Sequence, residues 1–168
     1  MEEGDKRALA NFLDTEGYIG IVRHRDTRRA RPNIHFIPLI VIANTEKPWL
    51  EGIKTLWGGE IYRLPKAKIE HDQCWHLRIS GARLMTILSE VLPYLRIKAT
   101  QAELTKELQR RINQRVGIDL KGRLTLAELD HRERLYRECK LLNTRGEVIP
   151  EEPEQPRPKI QLSLLEDN

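Results

Sequence analysis

The sequence contains little cysteine and no long apolar run. Cys74 and Cys139 are the only cysteines in 168 residues, which is too few for a disulfide framework and favours a reducing environment. The longest apolar run covers residues 36–43 and is interrupted by Pro38, whereas a membrane helix needs about 20 consecutive apolar residues. We therefore expect an intracellular protein without a membrane span.

Several common catalytic motifs are also absent. The sequence has no G-x-S-x-G, no G-x-x-x-x-G-K and no G-x-G-x-x-G, which argues against nucleophile-elbow hydrolases, phosphate-loop NTPases and Rossmann enzymes. His71, Cys74 and His76 are close in sequence, but no fourth ligand is near, and a structural zinc site needs four ligands. We interpret them as ordinary strand residues.

The positive charge of the chain is unevenly distributed. The net charge is +4 overall, but residues 147–168 hold six acidic and two basic side chains, which leaves +8 on residues 1–146. Such a basic body favours a polyanionic partner. The end of the chain is acidic and proline-rich, and we expect a single domain over residues 1–142 followed by a flexible tail over residues 143–168.

Hydrophobic periodicity predicts an α+β fold in which helices alternate with pairs of strands. The predicted helices cover residues 5–14, 46–57, 82–92, about 100–116 and about 125–142. The predicted strands cover residues 18–25, 34–43, 60–68 and 74–80. Pro38 indicates an edge or poorly paired position. Two pairs, Thr100 with Glu103 and Thr125 with Glu128, have the spacing of capping boxes for the last two helices.

The segment Leu9–Gly17 has an unusual arrangement of acids. Its sequence, LANFLDTEG, runs from an apolar helix into Asp14 and Glu16 and is closed by glycine. The helix macrodipole disfavours anions at a helix C-terminus, so two acids at this position need a cationic partner. Carboxylate oxygens are preferred ligands of Mg²⁺. The pattern therefore favours a divalent-cation site over two merely solvated acids.

This segment resembles the name-giving motif of the LAGLIDADG homing endonucleases, and further stretches resemble family features in the same order. These stretches are residues 42–46, 58–62, 75–81 and 92–102. The resemblance covers about residues 8–110. It implies the αββαββα fold of that family, with an antiparallel DNA-binding saddle and C-terminal helices, and it implies a site-specific endonuclease that cleaves both DNA strands.

The resemblance also implies a role for individual residues. Glu16 matches the acid that binds the catalytic divalent metal, expected to be Mg²⁺, and Thr15 matches the residue whose backbone carbonyl joins the metal shell. Asn44 falls near the position that orients the attacking water. Lys98 matches the basic residue that stabilises charge near the scissile phosphate, and Lys47 is a further candidate for the same pocket.

A chain with a single motif is expected to form a homodimer, because the family crosses two motif helices to bring two such acids together. A two-fold symmetric enzyme implies a near-palindromic site. The candidate interface residues are Leu9, Asn11, Phe12, Leu13 and Asp14. Glu16 stands where aspartate is more usual in the family, and Asn11 stands where glycine is frequent.

If the strands form the family's saddle, one face of each strand lies along the DNA. Alternation nominates base-facing residues, namely Val22, His24, His35, Leu39, Val41, Arg63, His76 and Arg78. Other basic residues are candidates for phosphate contacts, namely Arg25, Arg28, Arg29, Arg31, Lys66 and Lys68. We therefore expect double-stranded DNA as the partner and an affinity that falls steeply with salt.

Alternatives to the nuclease interpretation remain. The same fold suits a non-catalytic DNA-binding regulator or an intron RNA maturase, although Glu16, Asn44 and Lys98 together favour the enzyme. The segment Gln161–Leu165 resembles the peptide by which bacterial DNA-processing proteins bind the sliding clamp. An incidental apolar tail is the other interpretation of that segment.

Overall fold

The computed structural model describes residues 2–26, 33–65, 72–120 and 122–144, and its architecture is α+β. The helices are α1 (Glu3–Thr15), α2 (Lys47–Trp57), α3 (Ala82–Val91), α4 (Ala99–Asn113) and α5 (Leu126–Asn143). The strands are β1 (Tyr18–Asp26), β2 (Asn33–Asn44), β3 (Glu60–Arg63) and β4 (Trp75–Ser80). The order of helices and strands confirms the expected αββαββα unit with further helices after it. No helix in the described ranges has the length and apolar character that crossing a membrane would require.

The four strands form one antiparallel sheet in the order β1-β2-β4-β3. Because side chains alternate along a strand, the register separates two faces. Ile19, Ile40 and Ile79 are paired across the sheet and are buried in the core beneath the helices, so they define the helix-side face. Residues of the opposite parity define what we call the outer face.

Two hydrophobic clusters fill the helix side. The larger cluster joins α1, α2, α3 and the middle of the sheet, and it includes the fully buried Leu13, Leu50 and Leu88. The second cluster joins α4 and α5 to the part of the β1–β2 pair that contains Ile21 and Phe36, and Leu108 belongs to the same cluster. Burial of such side chains is the main stabilising term of a domain of this size.

The proline in β2 does not place that strand at an edge of the sheet, but Pro38 itself is paired on one side only, which is the poorly paired position that was the other expectation. β2 lies between β1 and β4, but its pairing with β4 starts at Leu39, opposite Ser80. Pro38 therefore lies one residue outside that ladder, where its missing N–H interrupts no β2–β4 hydrogen bond. β3 ends at Arg63, and residues 66–68 of the predicted strand lie outside the described residues.

One of the two predicted capping boxes has only its first half, and the other is absent. The hydroxyl of Thr125 accepts the N–H of Glu128 and caps α5. The Glu128 carboxylate instead accepts hydrogen bonds from Arg132, at 2.8 Å, and from Arg111. It thereby links α4 to α5 in a nearly buried ion-pair network. No side chain of α4 caps its own N-terminus, so the Thr100–Glu103 prediction was wrong.

Candidate active site and nucleic-acid interface

Glu16 lies at the C-terminal end of α1 with an exposed side chain. It is the C-cap residue, and its N–H donates to the Phe12 carbonyl. The hydroxyl of Thr15 donates to the carbonyls of Asn11 and Phe12, at 3.1 and 3.2 Å. Within the described parts of the chain, no hydrogen bond or ion pair engages the Glu16 carboxylate. That carboxylate is therefore free to bind a cation.

Lys98 lies beside this helix end. Its Nζ donates to the Leu13 carbonyl at 2.8 Å and to the Gly17 carbonyl at 2.5 Å. The carbonyls at a helix C-terminus carry partial negative charge, which a cation stabilises. The Lys98 ammonium thus holds the segment that carries Glu16 and adds a positive charge next to it.

Asp14 makes the reciprocal connection from α1 to α4. Its carboxylate, in a residue that is only 8% exposed, accepts the backbone N–H groups of Arg96 at 2.7 Å, Ile97 at 3.2 Å and Lys98 at 2.9 Å. These groups lead into the N-terminus of α4, where an anion is favoured. Asp14 therefore holds the turn that leads into α4, just before its first residue, Ala99.

Gly17 closes the motif because there is no room for a side chain. A Cβ at this position would lie 2.7 Å from Leu13 Cδ2 and 2.9 Å from the Leu13 Cα, closer than carbon atoms pack. Glycine thus lets the chain turn from α1 directly into β1 while Glu16 stays at the helix end.

Asn44 and Lys47 lie at the same end of the sheet as Glu16. Tyr18 pairs with Val41, so the residues before Tyr18 and the residues after Val41 meet at one end of the β1–β2 pair. The Oδ1 of Asn44 accepts the Glu46 N–H at 2.8 Å. The structure thus places Asn44 at the end of the sheet where Glu16 and Lys98 are found.

The Lys47 ammonium has its own partners. Its Nζ lies 2.9 Å from Glu51 Oε1 and 5.0 Å from the centre of the Trp75 ring. Trp75 pairs with Asn44 across β2 and β4, so Lys47 borders the same end of the sheet. Its charge, however, is already balanced by a carboxylate one turn along α2.

The candidate interface residues divide between the two sides of α1. Leu9 and Leu13 are 2% and 0% exposed in the core of their own subunit, and Asp14 is engaged by the turn before α4. These three assignments are corrected, because the residues face inward. Asn11 is exposed, and Phe12 is half-buried with its ring 4.8 Å from that of Trp49.

The outer face of the sheet carries most of the nominated base-facing residues. Val22, His24 and His35 are exposed there, and His24 pairs directly with His35. Half-buried residues follow on the inner strands, namely Val41, His76 and Arg78. Tyr62, which pairs with His76, also belongs to this face although alternation was not extended to it. Tyr18 lies on this face too. Burial is the largest cause that raises the pKa of its hydroxyl, electrostatic interaction with Cys139 and Tyr136 adds to it, and the pKa is about 12.

Some nominations need correction or cannot be placed. Leu39 has the right parity but is only 3% exposed, so it offers little surface to a base. Arg63 pairs with Trp75 and thus has helix-side parity, and its Nε donates to Gln73. Arg25 is exposed and also has helix-side parity. The remaining candidates lie outside the described residues, namely Arg28, Arg29, Arg31, Lys66, Lys68 and the Gln161–Leu165 segment.

The described residues supply only part of a metal-ligand set. No group of three or more His, Cys, Asp and Glu side chains in the described ranges could hold a metal ion. Glu16 supplies one exposed carboxylate at a helix end whose carbonyls favour cations. Oxygen donors of this kind suit Mg²⁺, which retains several waters and needs few protein ligands.

Comparison with known proteins identifies the fold. No family model and no curated protein matches the chain, whereas many solved structures do. Homing endonuclease I-CvuI in complex with DNA has a TM-score of 0.66 at 20% identity, over 88% of this chain and 87% of that one. The archaeal intron-encoded homing endonuclease I-Vdi141I, complexed with DNA, has a TM-score of 0.64 at 17% identity, over 89% of each chain.

The LAGLIDADG meganuclease I-CpaMI bound to uncleaved DNA is also similar, with a TM-score of 0.57 at 19% identity. The match covers 80% of this chain but only 49% of that one. The present chain has the fold of the LAGLIDADG homing endonucleases. Its length corresponds to that of I-CvuI and I-Vdi141I and to about half of I-CpaMI.

Proposed function

We propose that the protein is a metal-dependent, site-specific double-strand DNA endonuclease that works as a homodimer. The observation that carries this proposal is the exposed Glu16 carboxylate, which has no partner in the described residues and lies at a helix end beside Lys98. The fold is that of proteins solved as complexes with DNA. Two of the I-CvuI complexes were obtained with Ca or Mg.

The chemistry of the site follows from its donor groups. Glu16 and the backbone carbonyl of Thr15 would hold Mg²⁺, which lowers the pKa of bound water and stabilises charge on the leaving oxygen. Lys98 fixes the helix end through two carbonyls and adds positive charge near the reacting phosphate. Asn44 supplies a side-chain amide at the same end of the sheet, where it would orient the attacking water.

The homodimer is proposed from the outward face of α1. Gly4, Ala8, Asn11 and Thr15 are exposed, and their spacing places them along one side of the helix. Small side chains there let a second helix approach closely. Two large apolar side chains near α1 are also exposed: Trp49, whose ring lies 4.8 Å from that of Phe12, is 42% exposed, and Ile97, whose N–H donates to Asp14, is 68% exposed. A two-fold pairing across α1 would bring two Glu16 carboxylates together.

The outer face of the sheet is the proposed DNA-reading surface. Its exposed and half-buried residues include His24, His35, Tyr62 and Arg78, which can donate hydrogen bonds to base edges in the major groove. Because two subunits would present this surface with two-fold symmetry, the expected target is near-palindromic.

The test is a Glu16→Gln variant assayed on cut sites selected from a random duplex library. We expect the wild type to cleave with Mg²⁺ and not with chelator, and Glu16→Gln to lose more than about 100-fold in rate while its DNA affinity is retained. Glu103→Gln, an exposed acid on α4, is the matched control and should cleave normally. Cleavage by Glu16→Gln at the wild-type rate would refute the metal assignment.

The alternatives give different results in the same experiment. A DNA-binding regulator would bind duplex DNA equally well as the wild type and as the Glu16→Gln variant, and neither form would cleave it. A maturase would prefer folded intron RNA to duplex DNA at the same salt concentration. A complex whose mass shows a single subunit on the DNA would contradict the homodimer.

A further inference from the structure

A second feature of the surface lies away from the Glu16 end of the sheet. The C-terminal part of α2, the start of α3 and the edge strand β3 surround an open cleft of about 720 Å³. Three cationic side chains line it, those of Lys54, Arg78 and Arg83. Glu60 is the acidic residue among the cleft-lining residues, so positive charge exceeds negative charge there.

None of the three cations is held in an ion pair within the described parts of the chain. The side chains of Lys54, Arg78 and Arg83 take part in no hydrogen bond or ion pair there, even though Glu60 is near. The Glu60 carboxylate instead accepts the hydroxyl of Tyr62. Like charges gathered in one cleft repel each other, so a bound anion would stabilise this arrangement.

The backbone beneath the cleft is adapted to Arg83. Gly58 has a φ of +75°, a conformation that favours glycine, and a Cβ there would overlap the Arg83 guanidinium. Glycine therefore lets this guanidinium lie over the chain at the end of α2. A guanidinium matches two oxygens of a phosphate at once, and an ammonium such as that of Lys54 adds a point charge.

The position of Arg78 connects the cleft to the outer face. Arg78 pairs with Val41 on one side and Glu60 on the other, and it has outer-face parity. It is three residues from Trp75, which pairs with Asn44 at the Glu16 end. Through Val41, Arg78 stands in the same row of the sheet as Tyr18 but two strands away from β1. At about 4.8 Å between neighbouring strands, it lies about 10 Å across the sheet from the strand that follows Glu16, too far to hold the same phosphate.

We propose that this cleft is a phosphate-binding site for the backbone of the DNA that lies on the outer face. The inference rests on the proposed function. Lys54 and Arg83 hold one backbone phosphate in each half of the target, at a position other than the cleaved bond. A contact of this kind fixes the register of the protein on the duplex without reading its sequence.

The experiment measures the salt dependence of duplex binding by the Lys54→Gln/Arg83→Gln double variant, with Ca²⁺ in place of Mg²⁺. Each lost phosphate contact lowers the slope of log K against log salt by about 0.9, so a homodimer should lose about 1.8. Lys106→Gln/Arg115→Gln removes the same charge from α4 and the turn after it, and its slope should stay near that of the wild type. Lys54 and Arg83 are exposed, so thermal unfolding should be unchanged.

A second measurement locates the phosphate. Duplexes in which one phosphate at a time is an uncharged methylphosphonate should show one position per half-site that weakens the wild type and leaves the double variant unaffected. A double variant whose slope equals that of the control, or a scan without such a position, would overturn the inference. Cleavage by the wild type that still requires Glu16 would in that case leave the proposed function intact.

Discussion

Replacing Asp14 with asparagine tests the connection between the motif helix and α4. The carboxylate accepts one N–H at Oδ2, from Arg96, and two at Oδ1, from Ile97 and Lys98. An asparagine keeps one oxygen and presents an NH₂ group to the remaining N–H. A buried donor is then left without an acceptor, at about 1–3 kcal/mol, and the other two bonds lose their charge assistance. We expect a loss of about 3 kcal/mol in the free energy of unfolding.

The measurement is urea unfolding followed by circular dichroism, with the slope m compared between variants. Asp5→Asn is the control, because Asp5 is an exposed acid in the first turn of the same helix and its loss should change stability by less than about 0.5 kcal/mol. For a domain of this size the Asp14→Asn loss corresponds to a decrease of about 10 °C in Tm. A variant as stable as Asp5→Asn would refute the role assigned to this carboxylate.

Three other substitutions test the fold around the site. Burial opposes ionisation of Glu128, but hydrogen bonds from Arg111 and Arg132 outweigh it and lower its pKa from 4.5. Its contribution to stability is therefore present above about pH 4.5 and lost as the pH falls. Glu128→Gln should lose about 3 kcal/mol in neutral urea titrations, and stability equal to the wild type would contradict this. Tyr18→Phe should remove the alkaline loss of stability that we expect as the pH rises from 10 towards the folded pKa of about 12, and an unchanged profile by fluorescence would contradict the burial. Gly17→Ala should lower Tm markedly in calorimetry because its Cβ meets the α1 backbone; a Tm within about 1 °C of the wild type would contradict that clash.

The local sequence pattern was sufficient to predict the order of helices and strands, but it did not predict which residues of neighbouring strands pair. The alternation of Ile19 and Ile21 identifies β1, and both are buried. Arg63 was placed on the wrong face because β3 is only four residues long, and its parity depends on its pairing with Trp75. Pairing between strands is a tertiary property, and a shift of one residue exchanges the two faces.

The start of α4 shows a second limit of local reasoning. Thr100 and Glu103 have the spacing of a capping box, yet no side chain caps α4, and the turn just before the helix is held by Asp14, more than 80 residues earlier in the chain. A local sequence pattern can indicate only a cap that residues next to the helix start supply. The cleft formed by Lys54, Arg78 and Arg83 was missed for the same reason, since these residues come from three separate elements.

The two sides of helix α1 have different roles. Leu9, Leu13 and Asp14 face inward and are used by the subunit itself, whereas Ala8 and Asn11 face outward and are exposed. With 3.6 residues per turn, both sets fit one short helix without conflict. The inward set determines where the helix ends, and the outward set determines where a second helix can lie. In the proposed homodimer, the position of Glu16 relative to its symmetry mate would therefore depend on both, so a substitution on the inward side should impair the proposed metal site without touching the interface.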